Sequence, residues 1–244
     1  MRKPRVYIDA ELVSGQSIAL DKTRGHYLKN VLRLKPGAAF FLFNGHDSND
    51  YQATLVADGK QLSAEIGAAR PLATESALGS EIVQGLARAD HIDWTIQKTT
   101  ELGVSTISLF NAERSQSPLK AAQLDKKLAH WRGVAISACE QCGRAMVPQI
   151  RFHPGLEQAL RDLPDSLKLL LDFEGRPLAS ALQPGHSRVS ILLGPEGGLN
   201  PQEIGLAKDA GFQPVSLGSR VLRTETAATA ALAIIQSGLG DLGP

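Results

Sequence analysis

The residues with the most chemical promise lie in two glycine-bearing stretches near the carboxyl end, within residues 191–231. The first reads ILLGPEGGLNPQE from Ile191, the second VSLGSRVLRTETAATAA from Val215. Ile191-Leu192-Leu193 is an apolar run halted by Gly194-Pro195, the pattern of a buried strand ending at a turn. Glu196-Gly197-Gly198 follows, and glycines there let backbone approach a ligand or take positive φ. Asn200, Pro201 and Glu203 read as the N-cap, first turn and reciprocal glutamate of a capping box. Val215 to Gly218 is a second strand stopped by glycine. Thr224 is placed to cap a final helix whose 227–235 stretch is strongly helix-forming. Paired strand–glycine–helix junctions are how an open parallel sheet gathers ligands at the carboxyl ends of its strands. One such junction alone would be an ordinary turn. The pair, followed by the polar run 220–227, favours a site. Neither G-x-x-x-x-G-K-[ST] nor G-x-G-x-x-G is present, so this is no standard phosphate cradle.

Other chemistries lack their residues. No nucleophile elbow, Ser/His/Asp frame or paired set of metal ligands can be found, and no metal is expected. Cys139 and Cys142 form a single C-x-x-C one helical turn apart, without the further ligands zinc would need. They read as structural thiols in a reducing compartment, the cytoplasm. No apolar h-region follows the basic start, and no run is long enough to span a bilayer. His91 opens a helix beside the glycine loops and reads as a polar surface residue. Glu225 could be a base or simply a carboxylate favoured by a helix amino terminus. Arg223 could stabilise an anion, pair with a carboxylate or clamp phosphate.

The two stretches LLGPEGGLNPQE and LGSRVLRTETA resemble the cofactor loops of SPOUT-class RNA methyltransferases. The likeness is closer to the 16S ribosomal RNA uridine-N3 methyltransferases. HYLKNVLRL from His26, HIDWTIQKTTELGV from His91 and ACEQCGR from Ala138 agree with it, so the resemblance covers nearly the whole chain. It implies a knotted α/β domain with a trefoil knot, S-adenosylmethionine as cofactor, a homodimer, and 16S ribosomal RNA or the small ribosomal subunit as partner. Carried over residue by residue, the cofactor role falls on Leu193, Gly194, Glu196, Gly197, Leu217, Gly218, Val221, Leu222 and Thr224. Alkylating uracil N3 requires removal of its proton, by a base or with help from a cation that steadies the uracil anion. Arg223 and Glu225 are the catalytic candidates, with Glu140 and Arg144 next; Arg114 and Glu140 could reach toward a partner's site. Readings of a different class are a non-catalytic RNA-binding protein and an enzyme that grips a nucleotide by its phosphates. A SPOUT methyltransferase acting on another RNA nucleotide is a further alternative.

Positioning these loops requires a parallel sheet. The fold class expected is α/β, with a small amino-terminal β-rich module over 1–71, PUA-like by the resemblance. A linker over 72–80 and the methyltransferase domain over 81–244 would follow. Short strands at 5–8 and 17–20 precede a helix at 26–34. Strands at 39–44, 51–57 and 61–66 are joined by Asn44-Gly45 and Asp58-Gly59 turns. From residue 81 onward strands alternate with helices, the mark of a sheet covered on both faces. A long helix over 119–142 carries a stripe from Leu124 through Trp131 to Cys142. Net charge is only +1, but the first 36 residues hold eight Lys/Arg against three Asp/Glu. That local excess suggests an anion-binding face, with Arg5, His26, Lys29, Arg33, Arg114 and Arg144 as RNA-contact candidates.

Overall fold

Alternating apolar and polar residues in the amino-terminal third dictate strands with one buried face. In a computed structural model describing residues 3–59 and 61–243, they form β1 (Arg5–Tyr7), β2 (Ser17–Ala19), β3 (Ala39–Phe43), β4 (Asn49–Asp58) and β5 (Gln61–Pro71). The sheet order is β1-β3-β4-β5-β2, with β1 parallel to β3 and the other pairings antiparallel. Phe40, Leu42, Tyr51, Ala53 and Leu55, at every second position, enter one core with Leu28. These strands belong to a first unit, which runs to Glu75 and also takes in Cys139–Val147.

The helix expected at 26–34 is shorter and wider than its pattern suggests. α1 (Lys22–His26) passes into a π turn, Tyr27–Val31. Leu32 N–H donates to the Tyr27 carbonyl and Leu34 N–H to that of Leu28, which puts Leu28 fully inside. Arg33 follows with φ of 54°, the only non-glycine residue with positive φ among those described. Such π turns and left-handed residues recur at functional positions.

Two RNA-contact expectations need correction here. Arg5 is 5% exposed: its guanidinium pairs with Asp50 at 2.8 Å and donates to the Cys139 and Arg144 carbonyls. Arg144 is 6% exposed and paired with Glu75 at 2.7 Å. Both cations are spent on internal partners and cannot meet phosphate. Glu75, in the stretch expected to be a linker, also accepts from the backbone N–H groups of Ala145 and Met146. Glu140 is likewise engaged inside this unit, accepting from Tyr7 N–H at 2.9 Å, and burial pushes its carboxyl upward. Burial pushes the Cys139 thiol up to about 12, so it is an inert packing residue.

The second unit comprises Ser76–Ala138 and the chain from Pro148 onward. Its strands are β6 (Gly79–Gly85), β7 (Thr106–Phe110), β8 (Gln149–His153), β9 (Leu167–Pro177), β10 (Arg188–Leu193) and β11 (Gln213–Ser216). They make one parallel sheet in the order β11-β9-β10-β6-β7-β8. Between them run α2 (Ala89–Glu101), α3 (Leu124–Cys142, its residues from Cys139 belonging to the first unit), α4 (Leu156–Arg161), α5 (Leu178–Ala181) and α6 (Pro201–Asp209), and α7 (Thr224–Leu239) follows β11. Leu169, Ile191, Ile82 and Ile107 stand side by side in register as an apolar row crossing four strands, all of them wholly buried. On the next row Leu170, Leu192 and Val83 join Leu156, Ala159, Ala207 and Phe212 of the covering elements. Continuous apolar strands are what burial on both faces demands. Among the described residues no helix is long and apolar enough to cross a membrane.

Asp50 is completely buried and is shared by Arg5 and Arg70, with Arg70 at 2.8 Å. Replacing Asp50 by Ala leaves Arg5 charged and unpaired inside the unit. We expect a loss of about 3–5 kcal/mol in urea unfolding, with Arg70→Ala, whose side chain is half-exposed, costing far less.

Candidate functional site

The glycine loops meet where the strands end. Together they line a cavity of about 440 Å³, within the range of small-molecule sites. Loop 194–199, after β10, is held tight by its own geometry. A Cβ on Gly194 would lie 2.8 Å from the Gly198 carbonyl carbon and the Leu199 nitrogen, so the loop can double back only on glycine. Gly198 and Gly218 have φ of 69° and 94°, and no atom lies within 4 Å of where their Cβ would be. Both glycines line the cavity, so bare backbone faces space in which a ligand can sit. The loop runs directly into α6, where Asn200 accepts from Glu203 N–H and Glu203 from Asn200 N–H, completing the capping box.

Thr224 does not cap α7 as its position suggests. Arg223 takes the N-cap place, and Thr224 is the first helical residue. Its hydroxyl donates to the Gly194 carbonyl at 3.0 Å and accepts from Gln84 Nε2 at 3.3 Å. A buried side chain thus ties the first glycine loop, the end of β6 and the start of α7 to one point.

Beside it three ionisable groups converge. His91, in the first turn of α2, brings Nδ1 to 2.8 Å from Glu196 Oε1 and 3.6 Å from Glu225 Oε2. Arg88 N–H also donates to Glu196 Oε1 at 2.9 Å. Burial alone would raise the Glu196 carboxyl, but bonds from the Arg88 and its own N–H and from His91 outweigh this and hold it below the ordinary value of 4.5. Glu225 is 8% exposed, and its Oε2 is buried without a hydrogen-bond partner.

Of the cofactor candidates, Leu193, Gly194, Glu196, Leu217, Gly218, Val221, Leu222 and Thr224 line the cavity, and so does Arg223. Gly197 does not: a Cβ there would press on Arg114, 3.1 Å from its Cβ. Arg114 in turn donates to the Gly197 and Leu199 carbonyls at 3.3 and 3.4 Å, bracing the loop from outside. Glu225 does not line the cavity, and its Oε2 lies 3.6 Å from His91 Nδ1. In the first unit, His26, Lys29 and Arg33 line a separate cleft of about 1130 Å³ together with Lys22 and Lys35.

One wall escaped sequence reasoning. β11 pairs with β9 through Pro214↔Leu170 and then Val215↔Arg176, so residues 171–175 leave the ladder as a wide bulge. Leu171, Asp172 and Phe173 thereby line the cavity, and Phe173 is 65% exposed. A Cβ on Gly175 would lie 2.3 Å from Val215 nitrogen, so β11 can pass only over a glycine. A glycine inside an apolar strand was the available signal.

Residues 74–236 match the model of an RNA methyltransferase domain, and residues 20–67 that of an RNA methyltransferase PUA domain. The chain belongs to this RNA methyltransferase family. Ribosomal RNA small subunit methyltransferase E of Buchnera aphidicola from Schizaphis graminum is 33% identical over 243 residues, covering 99% of this chain and 98% of the relative. A Legionella pneumophila methyltransferase structure with bound cofactor S-adenosylmethionine shares 35% identity at a TM-score of 0.90, covering 99% of this chain and 100% of that one. The small subunit methyltransferase E of Neisseria gonorrhoeae, bound to S-adenosylmethionine, gives 35% and 0.89, covering 98% and 99%.

Two measurements test how this methyltransferase holds its loops. Thr224→Val strips the Gly194 carbonyl and the Gln84 amide of a buried partner, and should cost about 1–3 kcal/mol in chemical denaturation. Because the Glu196 carboxyl is depressed in the folded protein, its contribution is present above the ordinary value of 4.5 and is lost as pH falls through the folded one. The stability gap between wild type and Glu196→Gln should therefore be constant near neutrality and close in acid.

Proposed function

We propose that this protein transfers a methyl group from S-adenosylmethionine to N3 of a uridine in 16S ribosomal RNA. The observation that carries the reading is the cavity between two glycine loops. It lies in a chain that matches, nearly end to end, the two solved structures that hold S-adenosylmethionine. The residues fit that group: glycine backbone bared to open space at 198 and 218, and apolar walls from Leu193, Leu217, Leu222 and Phe173 for a flat heterocycle. The cofactor, when bound, supplies a sulfonium that is already a strong methyl donor. The chain supplies orientation and exclusion of water. Arg223, at the cavity and always cationic, is suited to steady the uracil anion.

RNA would run over the first unit's cleft, where Lys22, Lys29, Arg33 and Lys35 face phosphate around apolar Leu20, Leu34 and Leu55. Arg114, exposed at the loop, is a further phosphate contact in this reading. The first unit's sheet would close as a PUA-like barrel, and the carboxyl-terminal segment would thread a trefoil knot. The working form would be a cytoplasmic homodimer. Supporting that assembly, Val221 is 82% and Ile234 37% exposed, apolar surface at and near α7 that a two-fold partner would cover.

Mass spectrometry of 16S ribosomal RNA from a strain lacking the protein should show one uridine without its N3 methyl. Calorimetry should show S-adenosylhomocysteine binding to wild type. Gly218→Val, forced to φ near 94°, adds strain of about 1–3 kcal/mol and fills ligand space, so binding should be lost while the fold survives. Tight binding of mononucleotides in place of S-adenosylhomocysteine would redirect the site to phosphate recognition.

A further inference from the structure

Removing the uracil N3 proton is the one task that the methyl donor cannot perform. The arginines at the cavity, Arg220 and Arg223, stay protonated and cannot accept it. Glu225 does not line the cavity and its Oε2 is buried, and Asp172 accepts from Glu174 N–H in the bulge of β9. His91 lines the cavity with its ring still 16% exposed.

The ring's orientation follows from its partners. Glu196 Oε1, 2.8 Å from Nδ1, belongs to a carboxyl held in its ionised form, and a carboxylate only accepts. The proton on the ring must then sit on Nδ1. Glu225 Oε2, buried without a hydrogen-bond partner, lies 3.6 Å from the same nitrogen. In the neutral ring the lone pair is then on Nε2. The nearest charged group on its own helix is Asp90, with Oδ2 at 3.9 Å, beyond hydrogen-bond reach, and Arg88 Nε lies 3.5 Å from that same carboxylate. A carboxylate bonded to one nitrogen of an imidazole that lines a cavity is the arrangement of a general base.

We propose that His91 is the general base that takes the N3 proton of the target uracil, with Glu196 and Glu225 as its positioning residues. This rests on the methyl-transfer reading above. Nε2 accepts the N3 proton; the electron pair left on N3 forms the bond to the methyl carbon. The sulfur–carbon bond breaks with its pair returning to sulfur, giving a neutral thioether. The positive charge of the donor thus ends as an imidazolium facing Glu196 and Glu225, which then releases its proton to water.

His91→Asn keeps an amide donor near the place of Nδ1 and deletes the base. With saturating S-adenosylmethionine and ribosomal RNA substrate, kcat should fall by about 10²–10⁴-fold. The wild-type rate should rise with pH along a limb of slope one before levelling off, and the variant should lack that limb. A variant with wild-type kcat, or with the same limb, overturns the assignment. Nitrogen-15 spectra of the ring in unmodified protein give a test that needs no variant. A proton on Nδ1 with bare Nε2 is expected, and Nε2–H in the neutral ring overturns it. Wild-type protein that methylates a position other than N3 overturns the underlying reaction instead, a result distinct from an active His91→Asn.

Discussion

The hydroxyl of Thr224 is the point on which the cavity depends. Gly194 belongs to the turn after β10, Gln84 to the end of β6, and Thr224 to the start of α7, and none is local to another in sequence. Each bond is modest by itself, but leaving any of these buried groups without a partner costs more than the bond contributes. The junction also explains the glycines. Once Gly194 carbonyl is fixed, the chain must fold back within four residues, and only an absent Cβ allows Gly198 and Leu199 to lie against it. Constraint and opening arise together. The loop is rigid where it touches itself and bare where Gly198 and Gly218 face the cavity.

Electrostatics at the same place follow from that rigidity. Glu196 is presented by the constrained loop to an N–H of the chain entering α2, and that bond plus His91 keeps it ionised in spite of burial. Glu225 arrives with the first turn of α7, where the helix amino terminus favours a carboxylate. Two elements thus each place one carboxyl beside a single imidazole carried by a third. Preorganised charge of this kind needs no reorganisation when a proton moves.

The first unit solves a different problem with the same physics. Its small core accommodates a completely buried Asp50 by pairing it with Arg5, whose remaining donors go to the carbonyls of Cys139 and Arg144. Buried ions are tolerated when every donor and acceptor is matched. The segment Cys139–Val147 is thereby held in this unit, with Glu75 gripping Arg144 and the following backbone. Cations left on the surface at Lys22, Lys29, Arg33 and Lys35 keep their charge for something else.

Signals that act over a few residues were legible in the sequence. The capping box at Asn200 and Glu203, the glycine at 103 that follows α2 with φ of 85°, and the apolar strands leading to both glycine loops are set by neighbours in the chain. Backbone propensity and periodicity suffice for these because the partners lie within one turn or one strand. Decisions made across the chain were not legible. Arg5 reads as a surface cation until Asp50, 45 residues on, closes over it. Thr224 has the type and place of a helix cap, yet its hydroxyl goes to a carbonyl 30 residues earlier. His91 looks like any polar helix start until Glu196, 105 residues away, meets its ring. The wall from Leu171 to Phe173 exists only because β11 changes register against β9. Composition can say that a chain holds cations, hydroxyls and imidazoles; which of them are buried, paired or left bare is settled only when distant strands fix the distances between them.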